Sequence, residues 1–299
     1  MKTTSKSGKM YNRGAWKYAL PAFIPLVLLS VVPLSQAIWT AFTDNVAGFN
    51  VKVKFIGFEN FRRLAGDTLF WASFKIGIIW AVSVTLLALV LGFGLALLLN
   101  QKLRFLGLMR VLSLVPWAMP PVIVAIMWNL LLRPTSGPID GILEFFHVPG
   151  AKTDWLGDFN TAFPTVILIG AWVAMPIITV SILAAIQGIP MDMIEAATID
   201  GANAWQRFRF ITVPAVRAIT TALVALNIIW NFSSFGLVFV LTAGGPGGKT
   251  FVPALFAYNE AFKYGNFGYA AAMGVVMALA IVLMLGVYLK ASKREDTQR

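Results

Sequence analysis

Few side chains in this sequence could act as nucleophiles, general acids or metal ligands. Among its 299 residues there is no cysteine and a single histidine, His147. A thiolate nucleophile, a disulfide framework and a multi-histidine metal site are therefore excluded. We also find no paired carboxylates and no cluster with metal-ligand spacing, and His147 falls in a predicted loop as an ordinary surface residue. We therefore expect no catalytic residues and no bound metal.

One segment nearly matches a phosphate-binding loop. Residues 243–250 read AGGPGGKT, against the pattern G-x-x-x-x-G-K-[ST]. The first position is Ala243 rather than glycine, and no strand is predicted before it. The charge distribution described below also places Lys249 outside the cell, where ATP is scarce. We expect this chain to bind no nucleotide.

A polar and aromatic stripe is the more informative feature. The spacing of Asn227, Trp230, Asn231 and Ser234 puts them along one face of a helix. They lie in a long apolar interval, where unpaired polar groups are costly. The stripe therefore either contacts a ligand or joins helices of two subunits by hydrogen bonds. Weaker candidates of the same kind are Trp128 with Asn129, and Trp172.

The chain is too apolar for a water-soluble fold. Hydrophobic residues make up 58% and charged residues 12%, whereas soluble domains carry roughly 25% charged residues. Six intervals without Asp, Glu, Lys or Arg each exceed the ~20 residues that a helix needs to cross a bilayer: Tyr18–Thr43, Ile76–Gln101, Val111–Leu132, Phe159–Met191, Ala218–Gly248 and Tyr264–Leu289. The sequence predicts an all-α polytopic membrane protein with six transmembrane helices in one domain, residues 1–299.

Proline interrupts several intervals. The first interval is too long for the core of a secretory signal and contains prolines, so we expect a retained first helix. Pro116, Pro120 and Pro121 lie in the third interval, and Pro176 lies in the fourth. Such prolines kink a helix. The kinks either line a cavity or are ordinary packing features of membrane helices.

The charges orient the chain in the membrane. With both termini in the cytoplasm, the inner segments hold 15 of the 24 Lys and Arg but only 5 of the 13 Asp and Glu. The outer loops hold the remaining 9 and 8. The positive-inside rule therefore predicts that both termini are cytoplasmic. The net charge of +11 is a signal of topology and predicts no binding to nucleic acid.

The longest inner loop, residues 189–214, has the pattern of a helix–turn–helix. Pro190 suits a first helical turn, Gly201 suits a helix end, and a second short helix can begin near Asn203. Pro214 then marks the start of the fifth span. Because this second arm carries the bulky residues Trp205, Phe208 and Phe210, the loop is either a partner surface or an amphipathic hairpin lying on lipid.

The same loop resembles the EAA loop of binding-protein-dependent ABC importers. The matching residues are Glu195-Ala196-Ala197, then Gly201, Ile211 and Val213-Pro214, with Val213 in place of the usual leucine. The resemblance implies a type I ABC importer permease fold in which this loop docks on a separate ATPase. The coupling residues that it implies are Glu195, Ala196, Ala197, Asp200, Gly201 and Pro214.

Three further segments resemble the maltose-type sugar permeases. They are FIGFENF at residues 55–61, Val115-Pro116-Trp117 with Trp128, and Leu241-Thr242 followed by Gly244-Gly245-Pro246. The compact layout is similar to that of trehalose or disaccharide permeases. The resemblance implies that the polar stripe of the fifth span supplies sugar contacts.

The resemblance also implies an assembly in a bacterial or archaeal inner membrane. This chain would pair with a second permease, two ATPase subunits that bind ATP and Mg, and an external sugar-binding protein. An ion-coupled secondary carrier remains an alternative, because such carriers can coordinate ions with backbone carbonyls. A polytopic membrane enzyme is a third, for which the sequence offers no catalytic cluster.

Overall fold

The computed structural model describes residues 21, 23–25, 27–48, 52–148 and 153–296. Within these ranges the chain is helical, and its extended pairing is limited to one isolated antiparallel bridge between Thr43 and Phe55. The described residues include three π-helical turns, at 27–31, 208–212 and 259–263, which adjoin the helices. The helices are α1 Val32–Ala41, α2 Glu59–Ala65, α3 Thr68–Leu99, α4 Leu106–Ala118, α5 Pro121–Leu131, α6 Pro138–Phe145, α7 Ala162–Gln187, α8 Met191–Ile199, α9 Ala204–Arg207, α10 Val213–Ser233, α11 Gly236–Thr242, α12 Pro253–Tyr258 and α13 Phe267–Asp296.

The membrane-spanning helices agree with the apolar intervals. Five helical stretches of the described chain are long and apolar enough to cross a bilayer, and the bent pair α4–α5 would make a sixth as one span. This confirms the all-α, polytopic class. Residues 18–20 of the first predicted interval, and the basic segment 1–17 that contributes to the predicted orientation, lie outside the described residues.

The third interval is not one continuous helix. Its two halves, α4 and α5, meet at 98°. Met119 and Pro120 between them are both extended, with ψ near 135°, because a residue before proline is driven out of the helical region. Pro121 then opens α5, where its missing N–H would have no partner in any case. The proline pair therefore breaks the span rather than only bending it.

One compact unit comprises residues 1–66 and 257–276, and a buried amide organises it. Asn60 is 8% exposed, and its Nδ2 donates to the carbonyl oxygens of Ala41 at 2.9 Å and Thr43 at 2.8 Å. These carbonyls follow the end of α1, where backbone acceptors lack helical partners. Gly268 approaches the same carbonyl of Thr43 so closely that a side chain there would collide with it. The segment FIGFENF thus has a structural role in this unit.

Replacing Asn60 with alanine should lower the thermal unfolding midpoint in detergent. Both carbonyls would lose a donor inside a buried site, and each such loss costs about 1–3 kcal/mol. We expect the loss at the upper end of that range, measured by scanning fluorimetry of the purified chain. An unchanged midpoint would show that water or lipid headgroups satisfy the two carbonyls equally well.

The second unit comprises residues 67–256 and 277–299, and its core lies between α3, α7 and α10. Asp67 caps α3 by accepting hydrogen bonds from the backbone N–H groups of Leu69 and Phe70, each at 3.0 Å. Small residues then let the helices approach. A Cβ on Gly92 would lie 3.0 Å from the carbonyl oxygen of Met175. Close backbone packing of this kind holds helices together where lipid removes the hydrophobic driving force. The buried residues of this core are Ala88, Ala96, Leu99, Ala171, Ile178, Ile182, Leu183, Ile186, Val216 and Leu223.

Candidate functional site

A cavity of about 290 Å³ lies between α3, α7, α10 and the break of the third span. We call it the span cavity. All four residues of the predicted polar stripe line it, and they are joined by residues from α3, the broken third span, α7 and α11. The full lining is Trp80, Trp117, Met119, Pro121, Gly170, Val173, Ala174, Ile177, Asn227, Trp230, Asn231, Ser234 and Leu237. No ionisable side chain belongs to this set.

Hydrogen bonds fix the two asparagines on the cavity wall. Asn227 is 2% exposed, and its amide donates to the carbonyl of Leu223 at 3.0 Å. Asn231 donates to the carbonyl of Asn227 at 2.8 Å, and the indole N–H of Trp80 donates to the carbonyl of Asn231 at 3.1 Å. Among the described residues, nothing donates to the side-chain oxygen of either asparagine. Each side-chain oxygen is left as an acceptor for a ligand.

Two indoles provide faces and donors. Trp230 is 55% exposed and Trp117 is equally exposed. In the described part of the chain their indole N–H groups donate to no acceptor. An indole combines a large apolar face with one hydrogen-bond donor. Together with the asparagine oxygens, the cavity offers apolar faces, donors and acceptors without charge.

Trp80 and Trp117 were not among the substrate candidates of the sequence. Both lie on elements other than the fifth span, and spacing along one helix cannot show which residues of other helices face it. Trp117 adjoins Pro116 at the broken span, and this proximity to the proline break is the sequence signal that could have identified it. Trp80 reaches the cavity because Gly170 on α7 leaves room, since a Cβ there would lie 2.5 Å from the Trp80 ring.

Gly170→Ala should therefore destabilise the protein more than Gly94→Ala does. A methyl at Gly170 forces the Trp80 ring to move, and overpacking of this kind costs about 1–3 kcal/mol. A methyl at Gly94, on α3, meets no atom of the described residues within 4 Å, and alanine is a better helix former than the glycine it replaces. Thermal unfolding of the two variants in the same detergent measures the difference. Equal midpoints would mean that the ring moves at no cost.

The weaker candidates lie elsewhere. Trp128 and Trp172 pack against each other edge to face, with ring centroids 5.6 Å apart, and the indole nitrogen of Trp128 is buried without a partner among the described residues. The amide of Asn129 donates to the carbonyls of Val240 and Leu241, each at 3.2 Å. Neither the tryptophan pair nor Asn129 lines the span cavity. Asn129 instead links α5 to α11.

The predicted coupling loop begins with a short, exposed helix. Helix α8 follows Pro190 and ends at Ile199, and Asp200 is its C-cap. The next residue, Gly201, has a φ of +80°. Glycine adopts this left-handed conformation without strain, so its predicted role as helix terminator is confirmed. Glu195 is exposed and has no hydrogen bond or ion pair among the described residues. Ala196 is likewise exposed and Ala197 is partly buried.

The loop surface that carries this carboxylate also exposes several large apolar residues. Ile199 is 87% exposed, one helical turn from Glu195, and Met191 and Met193 are also exposed. On the second arm Trp205 is exposed by 64%. Exposed apolar residues that cluster in this way mark an interaction surface.

The second arm is longer than the sequence suggests. Asn203 caps α9 through a capping box with Gln206, which confirms the predicted start near Asn203. However, α9 does not end in a turn. It continues through the π-helical turn into α10, where Pro214 lies in the first turn. The ring of Phe208 packs edge to face on Phe93 of α3, at 5.7 Å. This arm is therefore an extension of the fifth span and is anchored to the second.

The segment AGGPGGKT forms a closed turn after α11. The buried hydroxyl of Thr250 lies 2.7 Å from that of Thr242 and donates to the carbonyl of Gly245 at 2.8 Å. A phosphate-binding loop uses this hydroxyl for a magnesium ion. Here the hydroxyl is engaged within the turn, and a helix rather than a strand precedes the segment.

Comparison with known proteins assigns the chain to a family. Residues 88–295 match the family of binding-protein-dependent transport system inner membrane components. The trehalose/maltose transport system permease protein MalF of Thermococcus litoralis is 31% identical over 274 residues, 92% of each chain. A probable starch degradation products transport system permease protein, AmyD of Thermoanaerobacterium thermosulfurigenes, is 30% identical, with 97% of this chain and 99% of that one covered.

A solved structure shares the fold. It is that of a bacterial alginate ABC transporter in complex with a periplasmic protein that holds an alginate pentasaccharide. The match has a TM-score of 0.78 at 20% identity and covers 94% of each chain. The family match spans more than half of the chain and the relatives span nearly all of it. The chain therefore belongs to the binding-protein-dependent transport system inner membrane components, the permease subunits of ABC importers.

Proposed function

We propose that this chain forms half of the translocation pathway of an ATP-driven carbohydrate importer whose substrate is a disaccharide such as trehalose or maltose. The observation that carries the proposal is the uncharged span cavity, where indole faces meet asparagine oxygens that accept no hydrogen bond from any described residue. Relatives that share most of the chain are named for transport of trehalose and maltose or of starch degradation products.

The chemistry of the span cavity suits a sugar. Sugar hydroxyls both donate and accept hydrogen bonds, and the C–H faces of sugar rings pack on aromatic rings. Trp230 and Trp117 supply faces and donors, while Asn227 and Asn231 supply acceptors. An ion would find no compensating charge here, and ionisable groups are the usual sign of ion-coupled transport. This favours a carbohydrate over an ion-coupled carrier.

In this proposal the energy for transport comes from a partner subunit that hydrolyses ATP. The exposed loop of α8 and α9 presents Glu195, which pairs with no residue in the described part of the chain, together with exposed apolar residues. This suits docking into a groove of an ATPase subunit. ATP and Mg are then bound by two copies of that partner. In this proposal Glu195, Ala196, Ala197, Asp200, Gly201 and Pro214 transmit closure of the ATPases to the span cavity.

The rest of the assembly follows from the charges and the relatives. The excess of Lys and Arg in the inner segments favours an orientation in which the loop and both termini are cytoplasmic. A second permease completes the cavity, and an external binding protein delivers the sugar, as in the alginate complex.

A pull-down of this chain from its native membrane in mild detergent tests the proposal. We expect mass spectrometry to find an ATPase, a second six-span permease and a binding protein, and calorimetry with a panel of sugars then identifies the ligand of that binding protein. Recovery of the chain alone, with ATP-independent transport in proteoliposomes, would refute the importer and favour a secondary carrier. A binding protein that prefers an amino acid or an ion would refute the sugar.

A further inference from the structure

A second cavity, of about 460 Å³, lies behind the loop. We call it the loop cavity. One wall is made by α8, α9 and the π-helical turn, and the opposite wall by the ends of α3 and α7. Its size falls within the roughly 300–1,000 Å³ of small-molecule sites. None of its lining residues belongs to the span cavity.

Polar side chains converge on the loop cavity from both walls. They are Asn100, Gln101, Gln187, Arg207 and Thr212. Within the described chain, Arg207 makes a hydrogen bond to the carbonyl of Ala202 at 2.7 Å, and the other four side chains make none. The lining contains no Asp or Glu. A cavity that offers three carboxamides, a hydroxyl and one guanidinium group suits a ligand whose groups both donate and accept hydrogen bonds.

The remaining lining is apolar. Ile194 contributes from α8, and Phe208 contributes a ring that Phe93 and Trp205 hold from two sides, at 5.7 and 5.4 Å. An aromatic wall beside carboxamides is the combination that also characterises the span cavity. A metal ion is not matched, because the lining has no carboxylate to balance its charge and includes the cationic Arg207. The polar and apolar lining residues together suit a polyhydroxylated, uncharged molecule.

We propose that the loop cavity is a second carbohydrate site, through which imported sugar slows its own transport. The inference rests on the proposed function, which makes the loop the coupling element and places it in the cytoplasm. A sugar bound there would bridge Asn100 and Gln187, on the ends of the spans, to Arg207 and Thr212 on the second arm. The bridge opposes relative movement of the two walls, which transmission from an ATPase requires.

The absence of native cysteine allows a direct test. The variant Ile194→Cys carries one thiol in the cavity wall, and its alkylation by N-ethylmaleimide is followed in the assembled importer with millimolar trehalose or maltose. We expect alkylation to slow several-fold. Adding Asn100→Ala and Gln187→Ala should abolish this protection, whereas adding Trp230→Ala should preserve it, because Trp230 lines the other cavity.

A transport measurement completes the test. ATP-dependent uptake is compared between proteoliposomes that enclose ATP alone and those that enclose ATP together with unlabelled sugar on the ATPase side. Uptake by the unmodified chain should fall several-fold with enclosed sugar, and the double variant Asn100→Ala with Gln187→Ala should lose this dependence. Unchanged alkylation by both sugars, or protection that survives the double variant, would overturn the second site. If uptake were absent even into vesicles without enclosed sugar, the result would instead refute the proposed function.

Discussion

Glu195→Ala should lower ATP-dependent sugar uptake at least tenfold while leaving insertion and folding intact. The carboxylate is exposed and has no partner among the described residues, so its removal leaves no buried group unsatisfied within the chain. In the proposed complex the ATPase groove covers it. Truncating one member of a covered, charged pair costs about 2–5 kcal/mol, which is more than a tenfold change in affinity.

The control for this variant is Glu59→Ala. It makes the same chemical change at an exposed carboxylate of α2, outside the loop, and we expect uptake within twofold of the unmodified chain. Copurification of the ATPase should fall with Glu195→Ala and persist with Glu59→Ala. Full uptake by Glu195→Ala would count decisively against the coupling role of the loop.

Trp230→Ala should raise the KM for sugar at least tenfold. The side chain is 55% exposed in the span cavity, so the change removes a stacking face and a donor rather than a packed core residue. Aromatic contacts contribute about 0.5–1.5 kcal/mol beyond the area that they bury, and the lost indole donor adds a hydrogen bond. Trp230→Phe retains a ring without the donor, and we expect an intermediate KM.

A matched variant on the same helix is Leu226→Ala. Leu226 is exposed on α10 and does not line the cavity, so uptake kinetics should stay close to those of the unmodified chain. The competing interpretation of the stripe is contact with the second permease. If Trp230→Ala kept its KM but lost the second permease on purification, the stripe would be an interface rather than a sugar site.

Charge-free intervals were sufficient to find the spans because a charge inside a bilayer is costly. These intervals misplaced the helix boundaries where a long charged side chain lies near a helix end. Helix α3 begins at Thr68, eight residues before the interval that predicted it, since Lys75 is tolerated within its first turns. A flexible cationic side chain can extend towards the membrane surface, so a single lysine does not end a helix.

Breaks and continuations were harder to predict. The prolines of the third interval indicated a kink, but the 98° bend at Pro120 depends on two consecutive prolines that force extended backbone before α5. Conversely, Pro214 predicts the start of a new helix, yet α9 continues into α10 through a π-helical turn. Proline is compatible with a first turn, and only packing, here of Phe208 on Phe93, decides whether a helix already precedes it.

The sequence predicted the cavity residues that lie on the fifth span, but it did not predict those that other helices contribute. Spacing alone placed Asn227, Trp230, Asn231 and Ser234 on one face, and all four line one cavity. The partners of that face depend on which residues other helices bring to it. Trp80 reaches the cavity because Gly170 has no side chain. Spacing along a single helix cannot predict this packing between two helices.

The most direct test of the central claim is sugar uptake by proteoliposomes that contain this chain, the second permease, the ATPase and the binding protein. Labelled trehalose and maltose are supplied outside and ATP is enclosed on the ATPase side. We predict accumulation that requires ATP hydrolysis and every subunit, and that persists when ionophores collapse proton and sodium gradients. Accumulation by this chain alone, without ATP and abolished by ionophores, would contradict the account.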